Sequence, residues 1–357
     1  MILPNSFGAG IALLIVSLLC WGMWPGTFKR AGKWRYELYY LDFSIGFLVF
    51  SAVAAFTLGM LNSSELTFSE NFLITGYRKM AYAIAAGVLF NIANLLLTGG
   101  IASAGMAAAF VMSLGTAMTV GVIWDFVQLP EANAMLMFGG AVLVLAAIAA
   151  MAMAHSGFKE AVFLASKKVA MQVDPRSKQG KKTPQSSGAL LGIIISVVSG
   201  ILFGFFPPLM TLATDGENGV APYGAVLLTA VGIMGCTFVA SPFIINFPIG
   251  GSPVRIGDYF RSKVSQHMLG WMGGAMLCGG LLAGMVVAGS PARILVGPVW
   301  SYACGHAAPL VAFALGLMVW SEFRSAPHRV RNFLMASAVL FAAGVVMVSV
   351  APLYSGK

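Results

Sequence analysis

Apolar residues along this chain run in unbroken stretches of about twenty, separated by short polar segments. A helix needs roughly 20 apolar residues to cross the hydrocarbon core of a bilayer. Ten such stretches are found, at 8–27, 39–61, 80–100, 104–125, 133–154, 189–212, 221–246, 266–288, 296–320 and 330–352. A membrane β-barrel would show alternating segments of about ten residues instead. The pattern therefore predicts an all-α, polytopic membrane protein with ten transmembrane helices. The first stretch could pass for a signal peptide, but Met1 to Gly10 carry no Lys or Arg, so it reads as a retained span.

Composition agrees. Of 357 residues, 59% are hydrophobic and 9% charged, and the mean hydropathy is +0.86. Soluble domains carry about 25% charged residues, and disordered chains are more polar still. Cys20, Cys236, Cys278 and Cys304 all lie in apolar runs without a CxxC pair, which argues against a disulfide framework or a zinc site. The net charge of +9 would raise the question of nucleic acid in a soluble protein. Here it is read loop by loop. The connections opposite the two termini, with Arg331, hold 17 Lys and Arg, and the terminal side holds 4. Cations gather on the cytoplasmic side. Both termini are thus expected outside, with segment 155–188 cytoplasmic, in the plasma or bacterial inner membrane.

Segment 155–188 is the one long linker. Its front, Gly157 to Gln172, fits either a short amphipathic helix on the membrane surface or a solvated loop. Basic residues there fit an anionic-lipid contact. Its tail, Asp174 to Ser187, is polar, rich in turn formers and expected to be mobile. The linker divides the chain into two five-helix repeats, 1–154 and 189–357. An odd number of spans per half makes the second inverted relative to the first, as in many transporters. Trp21-Gly22-Met23-Trp24-Pro25 in the first span is echoed by Phe203-Gly204-Phe205-Phe206-Pro207 in the sixth. Trp124-Asp125 closes the fourth span as Trp320-Ser321-Glu322 closes the ninth. Small residues four apart, Gly270 with Gly274 and Gly280 with Gly284, predict close helix packing.

Polar groups inside apolar spans are costly and are functional candidates by default. Asn91 and Asn94 share a helix face in the third span, where their amides can read a polar solute or tie helices together. His306 sits in the ninth span beside Ser301 and Tyr302, where an imidazole can donate, accept or change charge near neutral pH. Asp42, close in sequence to Lys33, Arg35 and Glu37, reads first as an interfacial salt bridge. Asp125 and Glu322 at helix ends read as gate or anchor charges. Trp21, Trp24, Phe203, Phe206, Tyr223 and Tyr302 are candidate lining for a central pocket, with Thr116 beside them. Pro25 and Pro207 are placed to break their helices and open a cavity. No nucleotide-binding loop, metal-ligand spacing or nucleophile elbow is present in the sequence. A pump, an intramembrane enzyme and a cofactor are therefore not expected.

Ten helices in a five-plus-five arrangement resemble the drug/metabolite transporter superfamily. Trp24-Pro25, a basic loop and Tyr40-Leu41-Asp42-Phe43 resemble the start of plant ureide permeases and their bacterial relatives. Ala308-Pro309-Leu310-Val311, Gly316 and Trp320-Ser321-Glu322-Phe323-Arg324 resemble the ninth helix of the same family. The central loop is shorter than in the plant proteins. The resemblance implies a secondary carrier working by alternating access, with a coupling proton, for a small polar heterocycle such as a ureide or nucleobase. A sugar carrier of the same superfamily is the alternative, and a channel or non-transporting scaffold the alternative of a different class. A monomer or homodimer in the bilayer, with no nucleic-acid partner, completes the expectation.

Overall fold

The computed structural model describes residues 1–61, 66–128, 132–173, 186–246 and 254–354. Ten helical segments long and apolar enough to span a membrane occur among them. They are Phe7–Arg30, Tyr36–Met60, Tyr77–Ala104, Met106–Val127, Ala134–Val169, Ala189–Thr214, Pro222–Asn246, Val264–Ala288, Ala292–Met318 and His328–Leu353. The expected spans and these agree to within a few residues, apart from the far end of the fifth. Hydrocarbon offers no partners for backbone N–H and C=O groups, so each long apolar run closes its hydrogen bonds internally as a helix.

Three spans are interrupted, each at a proline. The first breaks between Met23 and Pro25, the sixth between Gly204 and Phe206, and the ninth between His306 and Ala308. Pro25, Pro207 and Pro309 occupy the first turn of the following helix, where a missing N–H costs little. The two aromatic-glycine-proline motifs are thus the break points of the first and sixth spans.

The first span packs on the eighth and ninth, and the sixth on the third and fourth. The second pairs with the eighth, and the seventh with the third. The second also touches the seventh, the fourth the ninth and the fifth the tenth. Advancing the span numbers in these pairs by five returns the same pairs. Glycines permit these approaches: a Cβ on Gly270 would fall 2.5 Å from the Asp42 Cβ, and one on Gly280 2.9 Å from the Cys20 Cβ.

Two faces are defined by hydrogen bonds between connections. On one, Tyr223 donates to the Ile2 carbonyl and the Asn133 amide to the Ala351 carbonyl. This is the terminal face. On the other, the loop face, the Trp34 indole donates to Ser262 and Lys159 to the Ser103 carbonyl. The fifth span does not stop at the membrane boundary. Its helix runs Ala134–Val173, 40 residues, so the front of the linker continues this helix instead of forming a separate surface helix or a loop. Residues 158–169 are mostly Ala, Lys, Leu, Phe and Val, without Gly or Pro to stop propagation. The tail expected to be mobile lies almost wholly outside the described residues.

Candidate functional site

The broken first and sixth helices meet at an aromatic cluster in the middle of the molecule. Trp24 is fully buried, 5.2 Å from the Phe43 ring and 6.2 Å from Phe110. Trp21 lies 5.9 Å from Phe90 and 6.3 Å from Phe203. Phe90 also meets Phe206 at 5.2 Å and Phe47 at 6.0 Å. Most of these pairs are edge-on or tilted, as ring quadrupoles prefer. Trp21, Trp24, Phe203 and Phe206, singled out in the sequence, are therefore gathered into one cluster. The Trp24 indole N–H is buried without a hydrogen-bond partner, an arrangement that normally costs free energy.

Asn91 and Asn94 stand beside this cluster, both fully buried. The Asn94 amide donates to the Tyr40 hydroxyl at 3.3 Å, and Tyr40 donates onward to the Asn91 carbonyl at 3.3 Å. Thr237 of the seventh span donates to Asn91 Oδ1 at 2.9 Å. Half of each amide is left over: Asn91 Nδ2 and Asn94 Oδ1 have no partner. One free donor and one free acceptor thus sit one helical turn apart. Tyr40 and Thr237 are members of this site that the sequence reading passed over. An isolated Thr in an apolar span gives no signal, since its hydroxyl usually bonds its own helix, as Thr237 also does to Ile233.

From the terminal face a cavity of about 880 Å³ descends between the spans. Ser17, Asp125, Phe206, Pro207, Arg293 and Ser301 are among its walls, so it reaches the sixth-span break. Asp125 faces the Tyr302 hydroxyl and the His306 ring, and Tyr302 stacks on His306 at 5.7 Å. His306 Nδ1 is engaged by the Tyr302 carbonyl one turn earlier. His306 therefore belongs to a small polar group at the cavity edge, apart from the asparagines. Tyr223 is likewise remote from the cluster, its hydroxyl bonded near the N-terminus. Thr116 donates to the Met112 carbonyl and lies against Gly200, a packing position between the fourth and sixth spans.

Two carboxylates tie elements together at the loop face. Glu322 accepts from the Met106 and Ala107 amides at 2.7 and 2.9 Å and pairs with Lys29. It caps the start of the fourth span, where free N–H groups and the helix dipole favour an anion. Gly105, at φ 89°, makes room: a Cβ there would lie 2.9 Å from the Glu322 carboxylate. Asp42 does not pair with the neighbouring Lys33 or Arg35. Buried to 1% exposure, it accepts from His267 Nδ1 at 2.6 Å, Tyr259 at 2.8 Å and the Trp271 indole at 2.9 Å. Arg35 instead takes Glu37. Burial and the adjacent Asp42 push the Tyr259 phenol above its ordinary range. His267, Tyr259 and Trp271 lie more than 200 residues from Asp42 in sequence, so no local spacing announced them.

Ten apolar spans, the broken first and sixth helices meeting at a buried aromatic and amide cluster, and a cavity leading to it from one face are features of a multi-pass membrane transporter. The chain is similar to plant ureide permeases along nearly its whole length. It is 22% identical to ureide permease 1 of Arabidopsis thaliana, over 97% of each chain. It is 24% identical to ureide permease 5 of the same plant, over 97% of this chain and 95% of that one. Ureide permease 4 is 22% identical over 97% of both. No family model matches the chain. These relatives are named as permeases, not enzymes.

Proposed function

We propose that the protein is a secondary carrier for small, flat, polar heterocycles of the ureide or nucleobase type. The observation that carries this is the pair of half-satisfied amides beside the aromatic cluster. An amide or ureide edge presents a carbonyl next to an N–H. Such an edge would complete Asn91 Nδ2 and Asn94 Oδ1 together while a ring surface contacts Trp21 or Phe90. The names of the Arabidopsis relatives support the same substrate class.

Alternating access is the mechanism this reading assigns. The span contacts repeat when each number is advanced by five, which supports two five-helix repeats of opposite orientation. The cavity on the terminal face and the carboxylate closures on the loop face describe a carrier open to one side. By the charge bias that side is the cell exterior. Rocking the halves would release Glu322 and Asp42 and expose the cluster to the other side. Asp42 with His267 and Asp125 with His306 are the candidate pairs for proton coupling on this reading.

Uptake into proteoliposomes tests this. Allantoin and nucleobases should be accumulated, and each should compete with the others. Asn94→Ala should weaken uptake about tenfold at low substrate concentration while preserving folded yield. Accumulation of glucose, ribose or rhamnose, unaffected by Asn94→Ala, would overturn the heterocycle reading in favour of a sugar carrier. No uptake of any of these, with folded protein, would favour a scaffold.

A further inference from the structure

We propose that the loop-face cavity between residues 28–36 and 101–103 is a binding site for a phosphate group, distinct from the transport pathway. The cavity encloses about 420 Å³ and is lined by Phe28, Lys29, Lys33, Trp34, Arg35 and Ser103, among others. Three cations thus fall within seven residues on one wall. Lys159, reaching over from the extended fifth helix to the Ser103 carbonyl, brings a fourth to the rim.

The carboxylates nearby do not balance them. Glu37 is buried and held by Arg35 through two contacts, Nε to Oε2 at 3.1 Å and Nη2 to Oε1 at 2.6 Å. Glu322 has a side chain 8% exposed and divides its oxygens between Lys29 and the two amides of the fourth span. Four cations therefore face two carboxylates that already have other donors. Lys33 makes no ion pair among the described residues and is exposed. The flexible ammonium groups of Lys29, Lys33 and Lys159 are donors suited to phosphate oxygens, and Arg35 adds positive charge to the wall. Phe28, Trp34 and Ile101 supply apolar wall beneath it. Such basic pockets between helices at the membrane boundary take lipid head groups. A free phosphate has the same chemistry.

The site is also wired to the closure of that face. Lys29 lines the cavity and holds Glu322 at the same time. A phosphate drawing on Lys29 would loosen its hold on the carboxylate that caps the fourth span. Occupancy would therefore bias how readily the loop face opens.

The full-length protein is compared with Lys33→Gln, Lys29→Gln/Lys33→Gln and, as a control on the same face, Arg261→Gln. One arm counts phosphatidylglycerol retained after transfer from mixed phosphatidylcholine nanodiscs, by native mass spectrometry. The other follows the thermal midpoint in detergent as inorganic phosphate is added. Each cation removed from the cavity should weaken retention roughly fivefold, the scale expected for one basic residue near an anionic surface, and Arg261→Gln should leave it unchanged. Retained lipid with no response to phosphate makes the source the head group. A phosphate-dependent rise lost in Lys33→Gln makes it the free anion. Equal behaviour of all four proteins in both arms, or an equal loss in Arg261→Gln, overturns the site. Lys33 is exposed and unpaired, so its replacement does not threaten folding.

Discussion

Gly22 and Gly204 do the same work against opposite partners. A Cβ on Gly22 would lie 2.5 Å from the Val311 Cβ of the ninth span, and one on Gly204 would lie 2.5 Å from the Val120 Cβ of the fourth. Each glycine sits just before a helix break. Gly22→Ala and Gly204→Ala should each destabilise the protein by about 1–3 kcal/mol, the usual cost of forcing a methyl into a packed contact. Gly121 and Gly235 have nothing within 4 Å of such a Cβ. Alanine there should leave the thermal midpoint in detergent unchanged or raise it slightly, because alanine favours helix. A uniform response at all four positions would remove the packing explanation.

Asn91→Ala and Asn94→Ala strand no neighbour. Thr237 keeps the Ile233 carbonyl and Tyr40 keeps the Asn91 carbonyl. Both variants should therefore fold, as judged by size-exclusion yield. Substrate affinity should fall about tenfold in each, the worth of roughly 1.4 kcal/mol for a lost buried hydrogen bond. Unchanged uptake would reduce the two amides to helix ties.

Asp42 accepts from three side chains, so Asp42→Asn places an amide donor among donors. A loss of about 1–3 kcal/mol is expected, seen as a lowered thermal midpoint. Asp42→Ala, which removes the carboxylate and strands all three partners, should be no milder.

Tyr259→Phe tests the same cluster through pH. The Tyr259 phenol is pushed up, first by burial and then by Asp42. The folded state thus holds this proton more tightly than the unfolded chain does. Stability from this group is complete below the unfolded value of about 10 and is lost as pH rises beyond it toward the folded value. The wild type should lose stability steadily above that point, and Tyr259→Phe should lose less. Parallel curves for the two proteins would count against the coupling.

Reporter fusions check the orientation read from the cations. One placed after residue 357 should report the exterior, and one placed between 176 and 186 the cytoplasm. Both on the same side would contradict the five spans counted between the linker and residue 357.

The spans were legible because backbone chemistry in hydrocarbon leaves an apolar run one structure, and composition alone reveals the run. The breaks at Pro25 and Pro207 were legible too, because proline acts on its own helix. Of the cluster, Trp24, Phe203 and Phe206 could be found, since they flank those prolines. Tyr40, Thr237 and His267 could not. Their roles arise from neighbours on distant spans, and nothing within a helical turn marks them. Asp42 shows the limit well. Lys33 and Arg35 are near it in sequence, yet helix packing gives it His267 and Trp271 instead. The end of the fifth helix is not legible from the apolar run, because the polar residues beyond the membrane boundary still propagate helix.

The partners of the buried polar groups come late in the chain, and this bears on how the protein is made. Asn91 waits for Thr237, 146 residues further on, and Asp42 waits for Trp271, 229 residues away. At a synthesis rate of about 5–20 residues per second, the nascent third span stands in the bilayer for roughly 7–30 s before its partner exists. During that interval the polar edges of the early spans must be shielded by one another, by water or by the insertion machinery. The early helices can therefore take up their places only provisionally, and Asn91 and Asp42 gain these partners only once the seventh and eighth helices have arrived.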